Sequence, residues 1–233
     1  MIALWGVLTY ALTIAGILWL RATGQGPQDL SPAVVLIAIS PSVAAVIVTA
    51  ATGQLRSLAS RRAALGWYAL VLVVPVGLAL TFCVVSGQGV QAIELAMLGP
   101  LLTGALGEEL GWRGFGQPRL QSRYGPLYAA LVVGALWTVW HLWPTLSGME
   151  AFSAADVASS AVRLMAASVV YAWLYNRAGL LVVIAAHVGH NLAVDLVPPQ
   201  PALGTVLALL YLAAAVAVVP SLTRQRALSA GPS

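Results

Sequence analysis

Apolar runs of about twenty residues, separated by short turns rich in Gly, Pro and Arg, recur along the whole chain. A bilayer core about 30 Å thick requires about 20 apolar residues per crossing helix. Inside lipid a helix is the one open segment that satisfies its own backbone. The recurring length therefore predicts an all-α polytopic membrane bundle of about eight transmembrane helices. Composition agrees: 60% of residues are hydrophobic, 8% are charged, and the mean hydropathy is +0.90.

The runs are expected over Ile2 to Leu20, Pro32 to Thr52, Leu65 to Val85, Gln91 to Phe115, Leu127 to Leu146, Val157 to Tyr175, Leu180 to Val197 and Ala202 to Val219. Pro118 is expected to interrupt the fourth. The first run lacks a basic leader and a small-residue cleavage site, so it reads as a retained helix rather than a signal peptide. With no repeat or linker, residues 1–233 read as one membrane domain whose motif core spans about 91–197.

Basic residues orient the bundle. The loops after even-numbered helices, with the C-terminal tail, hold Arg56, Arg61, Arg62, Arg119, Arg123, Arg177, Arg224 and Arg226. The loops after odd-numbered helices hold Arg21, which predicts that both termini are cytoplasmic. No basic patch interleaves with aromatics, so nucleic acid is not an expected partner. The single cysteine, Cys83, permits no intramolecular disulfide and no CxxC motif.

Against this background Gly107-Glu108-Glu109-Leu110-Gly111-Trp112-Arg113 is anomalous, because charges within a membrane usually face a polar cavity and mark function. The three histidines, His141, His187 and His190, are all expected inside helices. Residues four apart share a helical face, which aligns Glu109 with Arg113, Trp137 with His141, and His187 with Asn191. Glu109 is expected to form a structural ion pair with Arg113, while Glu108 points about 100° away toward a cavity. At ~1.5 Å per residue, Glu108 lies about 15 Å before Pro118, His141 about 20 Å after Tyr128 and His187 about 12 Å after Gly179. Those starting points share the cytoplasmic side, so the three groups can meet at one depth. Trp112, Trp137, Trp140 and Trp143 read mostly as packing or interface residues, His190 as a helix-contact histidine, and Glu94 as interfacial.

The run Glu108-Glu109-xxx-Arg113, Trp137-xxx-His141 and His187-xxx-Asn191 resembles the EExxxR, FxxxH and HxxxN motifs of the CPBP family of intramembrane proteases. That family includes the type II CAAX prenyl endopeptidases and relatives linked to bacteriocin processing or immunity. The resemblance covers helices four to seven, and it departs at Trp137, where the family usually has Phe. It implies that Glu108 and His141 activate a water, and that His187 and Asn191 stabilise the oxyanion. It further implies Glu109, Arg113 and Trp137 as supporting residues, with no metal or other cofactor. The expected partners are membrane lipid and a membrane-bound or prenylated peptide or protein.

Other chemistries compete. A zinc protease would need ligands from separated helices, since HExxH is absent. A serine mechanism lacks a GxSxG-type motif. The same polar residues can also lock helices together. Bacteriocin immunity, scaffolding and proton-coupled transport are the non-catalytic alternatives, the last without the inverted repeat or paired broken helices usual in transporters.

Overall fold

The computed structural model describes residues 1–25, 31–60, 63–92, 98–148 and 153–229, with side chains described outside 98–103, 201 and 225–229. Every regular element among them is helical: α1 (Ile2–Thr23), α2 (Pro32–Ala51), α3 (Leu65–Ser86), α4 (Leu98–Glu109), α5 (Gln117–Tyr124), α6 (Pro126–Trp140), α7 (Trp143–Ser147), α8 (Ala154–Ala178), α9 (Leu180–Asp195) and α10 (Pro201–Ser229). A short 3-10 turn covers Leu55–Leu58, and a π-helical segment, Leu110–Gly116, joins α4 to α5. Glu94, Glu150, Arg61 and Arg62 lie outside the described residues.

Six helical stretches are long and apolar enough to cross a membrane, namely α1, α2, α3, α6 with α7, α8 and α10. The chain is thus an all-α integral membrane protein. The seventh expected crossing, α9, has 16 residues, and the fourth is described from Leu98. These two shorter elements stand inside the bundle: α2, α9 and the π segment pack on α4, while α3, α4 and α8 pack on α9.

Small residues set how closely the elements approach, as in membrane bundles where lipid gives no hydrophobic drive between helices. A Cβ on Gly111 would lie 2.3 Å from the Pro41 backbone, so only glycine lets the π segment rest on α2. A Cβ on Gly189 would lie 2.4 Å from the Val71 carbonyl oxygen, which brings α9 onto α3 with the same intimacy. Between α1, α2 and α6, Thr13, Ser40 and the Trp140 Nε1–H form a buried hydrogen-bonded cluster.

Two local expectations are corrected. The fourth α-helix ends at Glu109 rather than Phe115, and Pro118 does not stop the chain's helical course. It sits in the first turn of α5, where a missing N–H is tolerated. The fifth expected helix breaks after Trp140, so His141 lies at its C-terminal cap and not inside it. Pro144, in the first turn of α7, explains the break, because it has no N–H to offer the carbonyl of Trp140.

Candidate active site

The double glutamate occupies the last turn of α4, immediately before the π segment. Single-turn π-bulges frequently accompany functional sites. Here the two adjacent carboxylates diverge, as the 100° step per residue requires. Glu109 enters the bundle and is fully buried; Glu108 is 6% exposed and turns toward α6.

Glu109 is a hub. Its Oε1 accepts a hydrogen bond from Arg113 Nη1 at 2.9 Å and lies 2.9 Å from His187 Nδ1. The pairing with Arg113 follows the helical spacing; the second pairing, with α9, joins two elements that the sequence spaces far apart. Arg113 is also fully buried, and its Nε and Nη2 have no hydrogen-bond partner among the described residues. Aromatic faces compensate: the guanidinium lies 4.2 Å from the Trp137 ring centre and 5.1 Å from that of Tyr171.

Glu108 faces a different set of groups. Its Oε2 accepts a short 2.6 Å hydrogen bond from the Trp137 indole N–H and lies 3.6 Å from His141 Nε2. The latter separation is an ion-pair distance and not a hydrogen bond, and His141 Nε2 is a buried atom with no hydrogen-bond partner among the described residues. The His141 side chain is 32% exposed, so the imidazole connects the buried carboxylate with the accessible side of the site.

Trp137 is the centrepiece of this packing. Its ring centre lies 5.3 Å from that of His141 and 5.6 Å from that of His187. The expectation that Trp137 is chiefly a packing residue is therefore incomplete, because its N–H also anchors a carboxylate. Glu108, His141 and His187 do come together from three elements, around one indole. Asn191 lies one helical turn beyond His187 on α9 and is partly buried. No group of three or more His, Cys, Asp and Glu converges as a metal-binding set among the described residues.

His190 has the helix contact expected of it, and the partner is informative: its Nε2 lies 3.0 Å from Arg163 Nη1. Arg163 belongs to α8, within a membrane-spanning stretch. Counting loop arginines for orientation passes over it. The signal that finds it is a lone cation inside an apolar run.

Comparison with known proteins bears on the same region. Residues 90–193 match the family model described as "Type II CAAX prenyl endopeptidase Rce1-like". The chain is 49% identical over 41 residues to CAAX prenyl protease 2 of Methanococcus maripaludis, a stretch covering 18% of this chain and 15% of that protein. The aligned part is thus a small fraction of the relative's length.

Proposed function

Because residues 90–193 belong to the Rce1-like type II CAAX prenyl endopeptidase family, we propose that this integral membrane protein is an intramembrane endopeptidase. It hydrolyses a peptide bond in a membrane-bound or prenylated peptide or protein, using a water activated by Glu108 and His141. The observation that carries this reading is the approach of Glu108 Oε2 to His141 Nε2, 3.6 Å apart, with one partner buried and the other partly exposed.

The chemistry needs no metal, other cofactor or covalent intermediate. A water beside both groups loses a proton to the Glu108 carboxylate, and its oxygen attacks the scissile carbonyl. The carbonyl electron pair moves onto oxygen, where Asn191 donates its amide N–H and His187 donates from Nε2. Donation from Nε2 while Nδ1 faces Glu109 makes His187 an imidazolium. With Arg113, it balances the two carboxylates of Glu108 and Glu109. The proton held by Glu108 and His141 then passes to the leaving amine as the C–N bond breaks.

Residues 1–233 act in this reading as one domain, with both termini and the access to the site on the cytoplasmic face. The test is cleavage of membrane-anchored peptides by the purified chain in liposomes, each peptide prepared with and without a prenyl group. Products are identified by mass. Cleavage by wild type, lost in folded Glu108→Ala and His141→Ala variants, supports the reading. Retained cleavage by both variants refutes it.

A further inference from the structure

A single hydrogen bond does not fix an imidazole, because the terminal torsion of histidine is soft. Glu109 Oε1 lies 2.9 Å from His187 Nδ1, and that contact alone leaves the ring free to tilt about it. Nε2, the atom that donates to the oxyanion in the reading above, is displaced by any such tilt. Packing against the ring therefore decides where Nε2 is aimed. Two aromatic rings supply it, Trp137 at 5.6 Å between ring centres and Tyr171 of α8 at 5.9 Å. Trp137 and Tyr171 are themselves 6.0 Å apart, so the three ring centres form a nearly equilateral triangle.

Tyr171 is itself firmly held. It is 2% exposed, and the guanidinium of Arg113 lies 5.1 Å from its ring centre. Three residues earlier on α8, Ser168 Oγ donates a buried hydrogen bond to the Ala130 carbonyl at 2.8 Å. Gly134 permits that approach of α6 to α8, since a Cβ there would lie 3.0 Å from Ser168 Cβ. At the far end of the ring the Tyr171 hydroxyl lies 3.4 Å from that of Tyr211 on α10. Tyr171 also lines an apolar cleft of about 370 Å³ between α3, α8, α9 and α10, which His187 does not line. A smaller side chain at position 171 thus gives the imidazole room to swing on that side.

Resting on the peptidase reading above, we infer that Tyr171 is a positioning residue for the reaction: its ring, acting through His187, aims Nε2 at the oxyanion. Groups that stabilise a transition state must be held to within about 0.5 Å and 10–20° by side chains that are themselves locked. The residues of the three motifs come from α4, the π segment, α6 with its cap, and α9; Tyr171 adds α8 to the site. The ring carries this role and not the hydroxyl, whose partner is on α10.

The test combines kinetics with a readout that needs no activity. Tyr171→Phe, which keeps the ring, is expected to retain wild-type kcat on a membrane-anchored peptide. Tyr171→Leu is expected to lose at least about tenfold in kcat with KM little changed, short of the about 10²–10³-fold loss that follows removal of an oxyanion donor. Tyr171→Met repeats the measurement if the leucine variant does not fold. The chain has three histidines, so ring-labelled histidine gives three resolvable imidazole signals in NMR spectra of the purified protein, and a His187→Gln variant assigns one of them. The His187 signals are expected to coincide in wild type and Tyr171→Phe, and to shift and broaden in the leucine or methionine variant. Unchanged kcat or unchanged His187 signals in that variant, or an equal loss of kcat in Tyr171→Phe, overturns the proposal. Failure of the peptidase reading registers separately, as wild-type protein that cleaves no peptide, and the His187 signals then still decide whether Tyr171 places the imidazole.

Discussion

The indole N–H of Trp137 holds Glu108 Oε2 at 2.6 Å, a full ångström closer than His141 Nε2 stands to the same oxygen at 3.6 Å. The tryptophan, on α6 one turn before the capping His141, thus fixes the carboxylate and leaves the imidazole beside it with a buried nitrogen that has no hydrogen-bond partner among the described residues. A phenylalanine at this position would supply the ring and not the donor.

Trp137→Phe should accordingly preserve the fold and lower kcat with little change in KM. A hydrogen bond to a charged group contributes about 1.5–3 kcal/mol, which corresponds to a loss of about 10- to 100-fold. Steady-state kinetics on one membrane-anchored peptide checks this, and an unchanged kcat would show that the indole merely packs.

Glu109→Ala should be far more damaging to stability than a surface change. It strands the fully buried Arg113 and releases His187, and breaking one side of a buried pair costs about 3–5 kcal/mol. The readout is the thermal midpoint in detergent. The double variant Glu109→Ala with Arg113→Met removes the stranded cation, so it should recover part of the loss while remaining inactive.

Gly189→Ala should push α9 away from α3, because the added Cβ meets the Val71 carbonyl oxygen at 2.4 Å and a backbone atom cannot rotate aside. Overpacking of this kind costs about 1–3 kcal/mol. Gly77→Ala on α3, where a Cβ meets nothing within 4 Å, is the matched control and should leave the midpoint nearly unchanged.

Length and polarity make most of this architecture readable in the amino-acid sequence. The apolar runs located α1, α2, α3 and α8 to within a few residues, because the thickness of the hydrocarbon core dictates their length, whereas α10 continues ten residues past the expected Val219 to Ser229. The i,i+4 rule likewise foretold the Glu109–Arg113 pair. It could not foretell the Glu109–His187 contact, which depends on how closely glycines let α4 and α9 approach their neighbours. The helix break at His141 was signalled by Pro144, three residues downstream, yet the continuous apolar run around it masked the signal. The π segment after Glu109 has no comparable marker in Leu110–Gly116, whose residues also suit an α-helix bounded by glycine. Arg163 is a charge within an apolar run that a count of loop arginines passes over, and its contact with His190 arises only from the packing of α8 on α9.

The most direct test of the water-activating pair is the cleavage rate of a membrane-anchored peptide by wild type and Glu108→Gln, each with and without a chelator. Glutamine keeps the shape of Glu108 and an oxygen for the Trp137 N–H, while removing the carboxylate that accepts the water's proton. The expected result is chelator-resistant cleavage by wild type and a loss of at least about 100-fold in the variant, since general-base catalysis contributes about 10²–10⁴-fold. Undiminished cleavage by folded Glu108→Gln, or wild-type cleavage abolished by the chelator, would contradict the account.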